Sequence, residues 1–242
     1  MKIIQLNMWN GRLGKQVIEF INAEKPDFVC LQEVLSLPGG AAGWFLTPIE
    51  DLQAAVGMEL TYAPFLDFHF MNRTAEIGIA VLSALPVASQ SITFTGRQFI
   101  KDFDSLESDG NARNLLHTTF DSNGEALHVL THHGHYTPGS KDGDEETMRQ
   151  CGIIADYVAK LDGKVVLTGD FNLEPHSPSL EKINAALHNA TIDYGLKTTY
   201  SKFGRLGMTC DYIFTNDAVK VLNFAMSDEL LSDHAALVME FE

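Results

Sequence analysis

The sequence is short of cysteine, of long apolar runs and of basic residues, and each shortage narrows the class of protein. Only three cysteines occur among 242 residues. Because they are odd in number and widely spaced, they predict buried thiols rather than a disulfide framework or a cysteine-held metal cluster. No apolar run approaches the ~20 residues that a membrane-spanning helix needs, and no apolar leader precedes the first strand-like segment. We therefore expect a cytoplasmic protein with no membrane span.

The shortage of basic residues bears on possible partners. The chain has 17 basic and 32 acidic residues, a formal net charge of −15. Proteins that grip a long nucleic acid need lysine and arginine to replace the counterions of its phosphates. The charge therefore disfavours nucleic acid as a partner but does not exclude it. Clustered carboxylates suit a hard cation such as Mg²⁺, although a single acidic residue is more commonly solvated surface.

The arrangement of apolar residues predicts one strand-rich domain over residues 1–242. Hydrophobic residues make up 45% of the chain and charged residues 20%, which is ordinary for a globular domain. No repeat or linker divides it. Many short β-rich runs accompany only about four helical patterns, which predicts an α+β fold or a layered sandwich rather than a purely parallel α/β sheet. The oligomeric state is left open by the sequence.

The most informative stretch is Leu167-Thr168-Gly169-Asp170-Phe171-Asn172, which follows the apolar run Val165-Val166. A carboxylate and a carboxamide two residues apart at a strand end point to the same side, which is one way to build a site. Gly, Asp and Asn are also the usual turn residues. Taken alone, the stretch predicts a turn as readily as a site.

Other polar residues stand at the ends of predicted strands, and together they favour a site. Each has a plain structural explanation, such as a turn, a cap or a solvated charge. If these ends share one rim of the sheets, however, residues distant in the sequence converge there. The candidates are Asn7, Glu33, His132 with His133, Asp170, Asn172, Asp211, Asp233 and His234.

Five motifs, in order over nearly the whole chain, resemble the endonuclease/exonuclease/phosphatase superfamily. They are Leu6-Asn7-Met8-Trp9-Asn10, Leu31-Gln32-Glu33-Val34, Gly169-Asp170-Phe171-Asn172, Cys210-Asp211-Tyr212 and Ser232-Asp233-His234-Ala235. The resemblance implies a DNase I-like fold, a four-layer α/β/β/α sandwich of two packed mixed sheets. It also implies a divalent-metal-dependent phosphoester hydrolase.

The same resemblance implies roles for individual residues. Glu33 becomes the main carboxylate for Mg²⁺, with Mn²⁺ as an alternative, and Asn7 and Asp233 lie beside it. Asp170 orients or deprotonates the attacking water, and Asn172 holds a phosphoryl oxygen. His234 donates to the phosphoryl group, supported by Asp211. His132 matches the histidine that contacts the phosphate, although the adjacent His133 leaves this assignment open by one residue.

Three functional hypotheses follow. The first is a phosphodiesterase or phosphatase acting on a small or single-stranded phosphorylated substrate. The second is a DNA or RNA nuclease, which the acidic loop of residues 97–112 disfavours because its charges repel a polyanion. The third is a catalytically silent binding module. Four aromatic loop residues either receive an apolar group of a substrate or pack against the domain itself: Trp44, Phe45, Phe99 and Phe103.

Overall fold

The computed structural model describes residues 1–40, 45–70, 72–106, 109–138, 141–197, 199–200 and 207–242. Trp44, among the aromatic candidates, and Glu107, in the acidic loop, lie outside the described residues. The helices are α1 (Gly14–Glu24), α2 (Ile49–Val56), α3 (Glu145–Val158), α4 (Glu181–Ala186) and α5 (Ala190–Asp193). The strands are β1 (Lys2–Asn7), β2 (Phe28–Ser36), β3 (Glu59–Phe70), β4 (Arg73–Ser83), β5 (Ser89–Phe94), β6 (Asn114–Ser122), β7 (Glu125–His133), β8 (Lys164–Asp170), β9 (His188–Asn189), β10 (Asp211–Thr215), β11 (Val221–Met226) and β12 (Leu237–Phe241).

The strands form two six-stranded mixed sheets. The first sheet has the order β11-β12-β1-β2-β4-β3, and the second has the order β5-β6-β7-β8-β10-β9. In each sheet one central pair is parallel, β1 with β2 and β7 with β8. Because parallel neighbours end at the same edge, these pairs bring the carboxyl ends of four strands toward one rim.

The two sheets pack face to face with helices on their outer faces, which confirms the predicted four-layer sandwich. Apolar side chains of both sheets fill the space between them, with Phe28 against Phe120 as one contact. Val17 and Phe20 of α1 and Leu52 of α2 pack on the outer face of the first sheet. Cys151 and Ile154 of α3 pack on the outer face of the second. Among the described residues, no helix has the length and apolar character needed to cross a membrane.

One local irregularity positions a site residue. The sequence pattern places Glu33 at the end of a strand, but β2 continues to Ser36. The register against β4 shifts between Leu31 and Val34, so two residues of β2 face one residue of β4. This β-bulge gives Glu33 a left-handed backbone, with φ of +49°. Such strained conformations are concentrated at functional sites.

A second polar cluster lies on the second sheet, between paired strands β6 and β7. His117 Nε2 lies 2.9 Å from His128 Nδ1, and His117 Nδ1 lies 2.9 Å from the Tyr157 hydroxyl. Burial lowers the pKa of His117 to about 4. The imidazole is therefore neutral in the folded protein at pH 7 and is protonated only in acid.

The His117 cluster predicts a loss of stability on acidification. An unfolded histidine titrates near pH 6.5, so between that pH and about 4 the unfolded chain binds a proton that the folded chain does not. Stability is fully present above pH 6.5 and decreases as the pH falls. From pH 7 to pH 5 we expect His117 to lower the free energy of unfolding by about 2 kcal/mol. Urea unfolding of wild type and His117→Gln measures this as a smaller pH dependence in the variant. The exposed control His188→Gln should behave as wild type, and an equal pH dependence in all three proteins would contradict the prediction.

Candidate active site

The rim of the two sheets collects most of the side chains that the sequence pattern singles out. Asn7 ends β1, Asp170 ends β8, and Asp211 begins β10 directly opposite Asp170 in the register. A Cβ on Gly169 would collide with the carbonyl oxygen of His132, so glycine allows β7 and β8 to approach here. A cavity of 230 Å³ opens at this rim, lined by residues that include Glu33, Lys141, Asp170, Asn172, Asp233 and His234.

One amide joins the two central carboxylates. Asn7 Nδ2 donates to Glu33 Oε1 at 3.1 Å and to Asp170 Oδ2 at 3.0 Å. Asn7 Oδ1 accepts from the backbone N–H of Trp9. The group that Asn7 turns toward the carboxylates is thus a donor, and a donor does not ligate a cation. In this geometry Asn7 orients Glu33 and Asp170; the family resemblance assigns it to the metal site, and that role stays a prediction.

His234 is held by a buried carboxylate. Its Nδ1 lies 2.8 Å from Asp211 Oδ2, and its Nε2 lies 3.7 Å from Asp170 Oδ2. Burial by itself would lower the pKa of His234, but the charges of Asp211 and Asp170 and the hydrogen bond to Asp211 raise it to about 10. His234 is therefore an imidazolium at neutral pH, with Nδ1–H donating to Asp211 and Nε2–H directed to the rim. The structure thus places the two residues in contact, as the resemblance implies, and their catalytic roles stay a prediction.

A chain of buried side-chain amides supports Asp211 from between the sheets. Gln5 and Gln32 exchange two hydrogen bonds, at 2.7 and 2.8 Å. Gln5 also donates to Asp211 Oδ1, and Gln32 also donates to Thr131 Oγ1 on the opposite sheet. Buried polar groups of this kind are tolerated because each is paired. The sequence signal for Gln5 was a polar residue inside an otherwise apolar strand.

Asp170 is an ionised carboxylate inside a largely buried site. Burial alone would raise its pKa, but the charge of His234 and hydrogen bonds from the Asn172 N–H and the Asn7 side chain lower the pKa below its usual range. Its Oδ1 accepts from Asn172, and its Oδ2 accepts from Asn7. The carboxylate is therefore fixed in orientation before any substrate binds.

Asn172 accepts a hydrogen bond from a lysine side chain that the sequence analysis did not identify. Lys141 Nζ donates to Asn172 Oδ1 at 2.7 Å and lies 4.3 Å from the centroid of the Tyr136 ring. The lysine is buried, and its burial lowers its pKa. It comes from a loop without periodicity or motif, so no sequence signal pointed to it. Asn172 itself has a left-handed backbone, with φ of +56°.

The two adjacent histidines of β7 point to opposite faces, and the structure reverses their assignment. His132 Nδ1 donates to the carbonyl oxygen of Asn114, and its ring contacts Phe171 on the outer side of the sheet. Burial lowers the pKa of His132 to about 4. His133 Nε2 instead lies 3.7 Å from Asp170 Oδ2. Neighbouring strand residues alternate in direction, so His133 is the histidine that faces the rim beside Asp170, and His132 faces the outer side of the sheet.

The oxygen donors at the rim fit a hard cation. Glu33 and Asp233 carry carboxylates that line the same cavity, and carboxylate oxygens are what Mg²⁺ prefers. A second grouping, Asp170 with Cys210 and His234, also brings ligand atoms within 4.8 Å of one another. That grouping contains a thiol and an imidazole, which are softer ligands than the carboxylate oxygens that Mg²⁺ prefers. The pair Glu33 and Asp233 is the better fit.

Known structures share this architecture over the full chain. An endonuclease/exonuclease/phosphatase from Bacteroides vulgatus is 17% identical, with a TM-score of 0.76 and coverage of 100% of this chain and 98% of that one. D. rerio TDP2, solved with a single-strand DNA product, is 16% identical, with a TM-score of 0.71 and coverage of 100% and 98%. A mannosyl-6-phosphatase from Bacteroides thetaiotaomicron is 13% identical, with a TM-score of 0.70 and coverage of 100% and 99%. At these identities the likeness shows the fold.

The sequence itself settles the family. No curated protein matches it. The model of the Endonuclease/Exonuclease/phosphatase family, however, matches residues 4–234, which include every candidate site residue described above. The chain therefore belongs to the endonuclease/exonuclease/phosphatase family and has its DNase I-like fold.

Proposed function

We propose that the protein is a divalent-metal-dependent phosphoester hydrolase that acts on a small or single-stranded phosphorylated substrate. The observation that carries this proposal is the connected set Glu33, Asn7, Asp170 and His234. In this set two carboxylates are bridged by one amide, and an imidazolium lies beside one of them. Phosphoester hydrolysis needs an oriented water and positive charge facing the phosphoryl oxygens. Both are available in one cavity.

Each side chain has a separate role in the proposed hydrolysis. Asp170 accepts a hydrogen bond from the attacking water and takes its proton as the new bond to phosphorus forms. The Nε2–H of His234 donates to a phosphoryl oxygen, and the Lys141 ammonium adds positive charge beside Asn172. The bond from phosphorus to the leaving oxygen then breaks. A cation held by Glu33 and Asp233 would act as a Lewis acid on the phosphoryl group.

Charge and family relatives bear on the substrate. The net charge of −15 disfavours an extended polyanion. The relatives include an enzyme solved with a single-strand DNA product and a mannosyl-6-phosphatase. Both names are compatible with a short phosphorylated substrate. We therefore place the alternative, a DNA or RNA nuclease, second. We propose Mg²⁺, with Mn²⁺ as an alternative, because carboxylate oxygens of Glu33 and Asp233 line the cavity.

Metal dependence gives the direct test. Wild type should release 4-nitrophenolate from bis(4-nitrophenyl) phosphate with Mg²⁺ and should lose this activity in EDTA. We expect Glu33→Gln to raise the Mg²⁺ concentration for half-maximal rate by about 10- to 100-fold, because it removes a ligand charge. Titration calorimetry should show the same weakening of Mg²⁺ binding. The exposed control Glu19→Gln should match wild type, and full activity in EDTA would refute the proposed function.

A further inference from the structure

An apolar cavity of 340 Å³ lies outside the set of residues that carries the proposed chemistry. Three of its lining residues are neighbours across the first sheet: Leu35 of β2 pairs with Ile77 of β4, which pairs with Leu66 of β3. The remaining apolar lining consists of Phe45, Leu46, Phe68, Phe70 and Phe103. Cavities of this size and composition are typical of small-molecule sites.

The cavity begins next to the catalytic rim. Leu35 stands two residues after Glu33 on β2, which corresponds to roughly 7 Å along a strand. Two of the ten lining residues are polar, Asn10 and Arg12, and both follow the end of β1 at Asn7. The polar side of the cavity thus belongs to the segment that leads directly from the site.

Arg12 supplies positive charge on the polar side of the cavity. Its guanidinium lies 4.7 Å from the centroid of the Trp9 ring, and the residue is exposed. Stacking on an aromatic ring holds an arginine in place while its N–H groups stay available to an anion. A ligand that fills the cavity would carry its apolar part away from Arg12 and its anionic part toward the rim.

We propose that this cavity, the apolar subsite, binds an alkyl or aryl group esterified to the phosphate that is hydrolysed. The inference rests on the proposed phosphoesterase function and specifies its substrate as an amphiphilic phosphoester. Phe45 and Phe103, two of the loop aromatics identified from the sequence, line this subsite. Four phenylalanine rings favour an aromatic group through edge-to-face contacts and accept a chain through simple burial.

A series of diesters measures the subsite. The substrates are 4-nitrophenyl phosphodiesters whose second ester group is methyl, butyl, hexyl or phenyl. We expect kcat/KM to rise by at least about 20-fold from methyl to hexyl, because each buried methylene contributes about a threefold gain. A larger gain for phenyl than for hexyl identifies a ring as the natural group, and the reverse identifies a chain. A flat series would overturn the proposal.

Two variants test whether the rise in kcat/KM from the methyl to the hexyl diester arises from the apolar subsite. Phe45→Asp places a carboxylate at the mouth, since Phe45 is 73% exposed, and should lower the hexyl-to-methyl ratio of kcat/KM at least fivefold, or about 1 kcal/mol. Phe103→Ala removes part of the wall and should lower the ratio as well. Leu222→Asp is the matched control, because Leu222 is also exposed but lies on β11 at the opposite edge of the sheet. A ratio unchanged in both subsite variants would overturn the assignment.

Measurements of alkyl phosphate binding distinguish the proposed apolar subsite from the proposed hydrolase function. Titration calorimetry with hexyl phosphate and methyl phosphate requires no turnover, and we expect hexyl phosphate to bind at least about 10-fold more tightly. Tighter binding of hexyl phosphate in a protein that hydrolyses neither phosphodiesters nor phosphomonoesters would refute the proposed function and keep the subsite. Hydrolysis of the methyl diester with equal binding of both phosphates would refute the subsite and keep the function.

Discussion

Replacing Asp170 by Asn is expected to lower kcat for bis(4-nitrophenyl) phosphate by about 10³-fold, since it removes the proton acceptor and one fixed charge of the site. The substitution keeps the shape of the side chain. Asn can still accept one of the two bonds that fix Asp170, from Asn172 N–H to Oδ1 or from the Asn7 amide to Oδ2, because its other terminal group is an NH2 donor. Steady-state kinetics at saturating Mg²⁺ measures the loss. The expected split is a large fall in kcat with a small change in KM.

The exposed control Asp162→Asn removes the same charge at the end of β8 opposite Asp170 and should retain wild-type kinetics. Circular dichroism and urea unfolding check that both variants are folded. Mg²⁺ binding should persist in Asp170→Asn, because Glu33 and Asp233 are intact. Wild-type turnover in a folded, Mg²⁺-binding Asp170→Asn protein would contradict the assigned role.

The strand-end residues were predictable because strong local signals surround them. Asp170 follows an apolar run and a glycine, and Asp211 precedes the run Tyr212–Phe214. A buried strand that stops at a carboxylate is unusual unless that carboxylate has a partner. The pairing of Asp211 with His234 supplies such a partner. The family motifs, which follow one another in the expected order along the chain, then predicted the sandwich fold.

The choice between His132 and His133 depended on the strand faces. Both faces of β7 are buried, with Val129 on the inner face and Leu130 on the outer face. A strand that is apolar on both sides carries no alternation by which its inner residues can be recognised. The inner row includes Val129, Thr131 and His133, and this row becomes evident only when the second sheet is in place.

Lys141 and the bulge at Glu33 could not be predicted for a different reason. Lys141 reaches the site from a loop, and the contact that defines it is with Asn172, 31 residues away. The bulge is a property of the pairing of β2 with β4, in which Leu31 faces Ala80 and Val34 faces Gly78. Both features are properties of the assembled sheets. Local propensity therefore predicts the elements, whereas tertiary packing decides which side chains meet.

His234→Gln is expected to lower kcat by about 10²- to 10³-fold, because it removes the imidazolium that faces the phosphoryl oxygens. Asp211→Asn should also lower kcat, since His234 loses the charge that keeps it protonated and oriented. Asp211 is fully buried, so we expect it to act on the substrate only through His234. The double variant should therefore be no slower than His234→Gln alone, because residues that act as a unit are not additive.

The double-mutant cycle is measured with bis(4-nitrophenyl) phosphate at saturating Mg²⁺, with the exposed variant His188→Gln as the control. Urea unfolding is needed for each protein, because an unpaired buried carboxylate at Asp211 costs about 3–5 kcal/mol. The glutamine amide can still donate to Asp211, which limits that cost. If the two losses in kcat multiply in the double variant, Asp211 contributes to the reaction independently of His234. Its placement behind the imidazolium would then not explain its role.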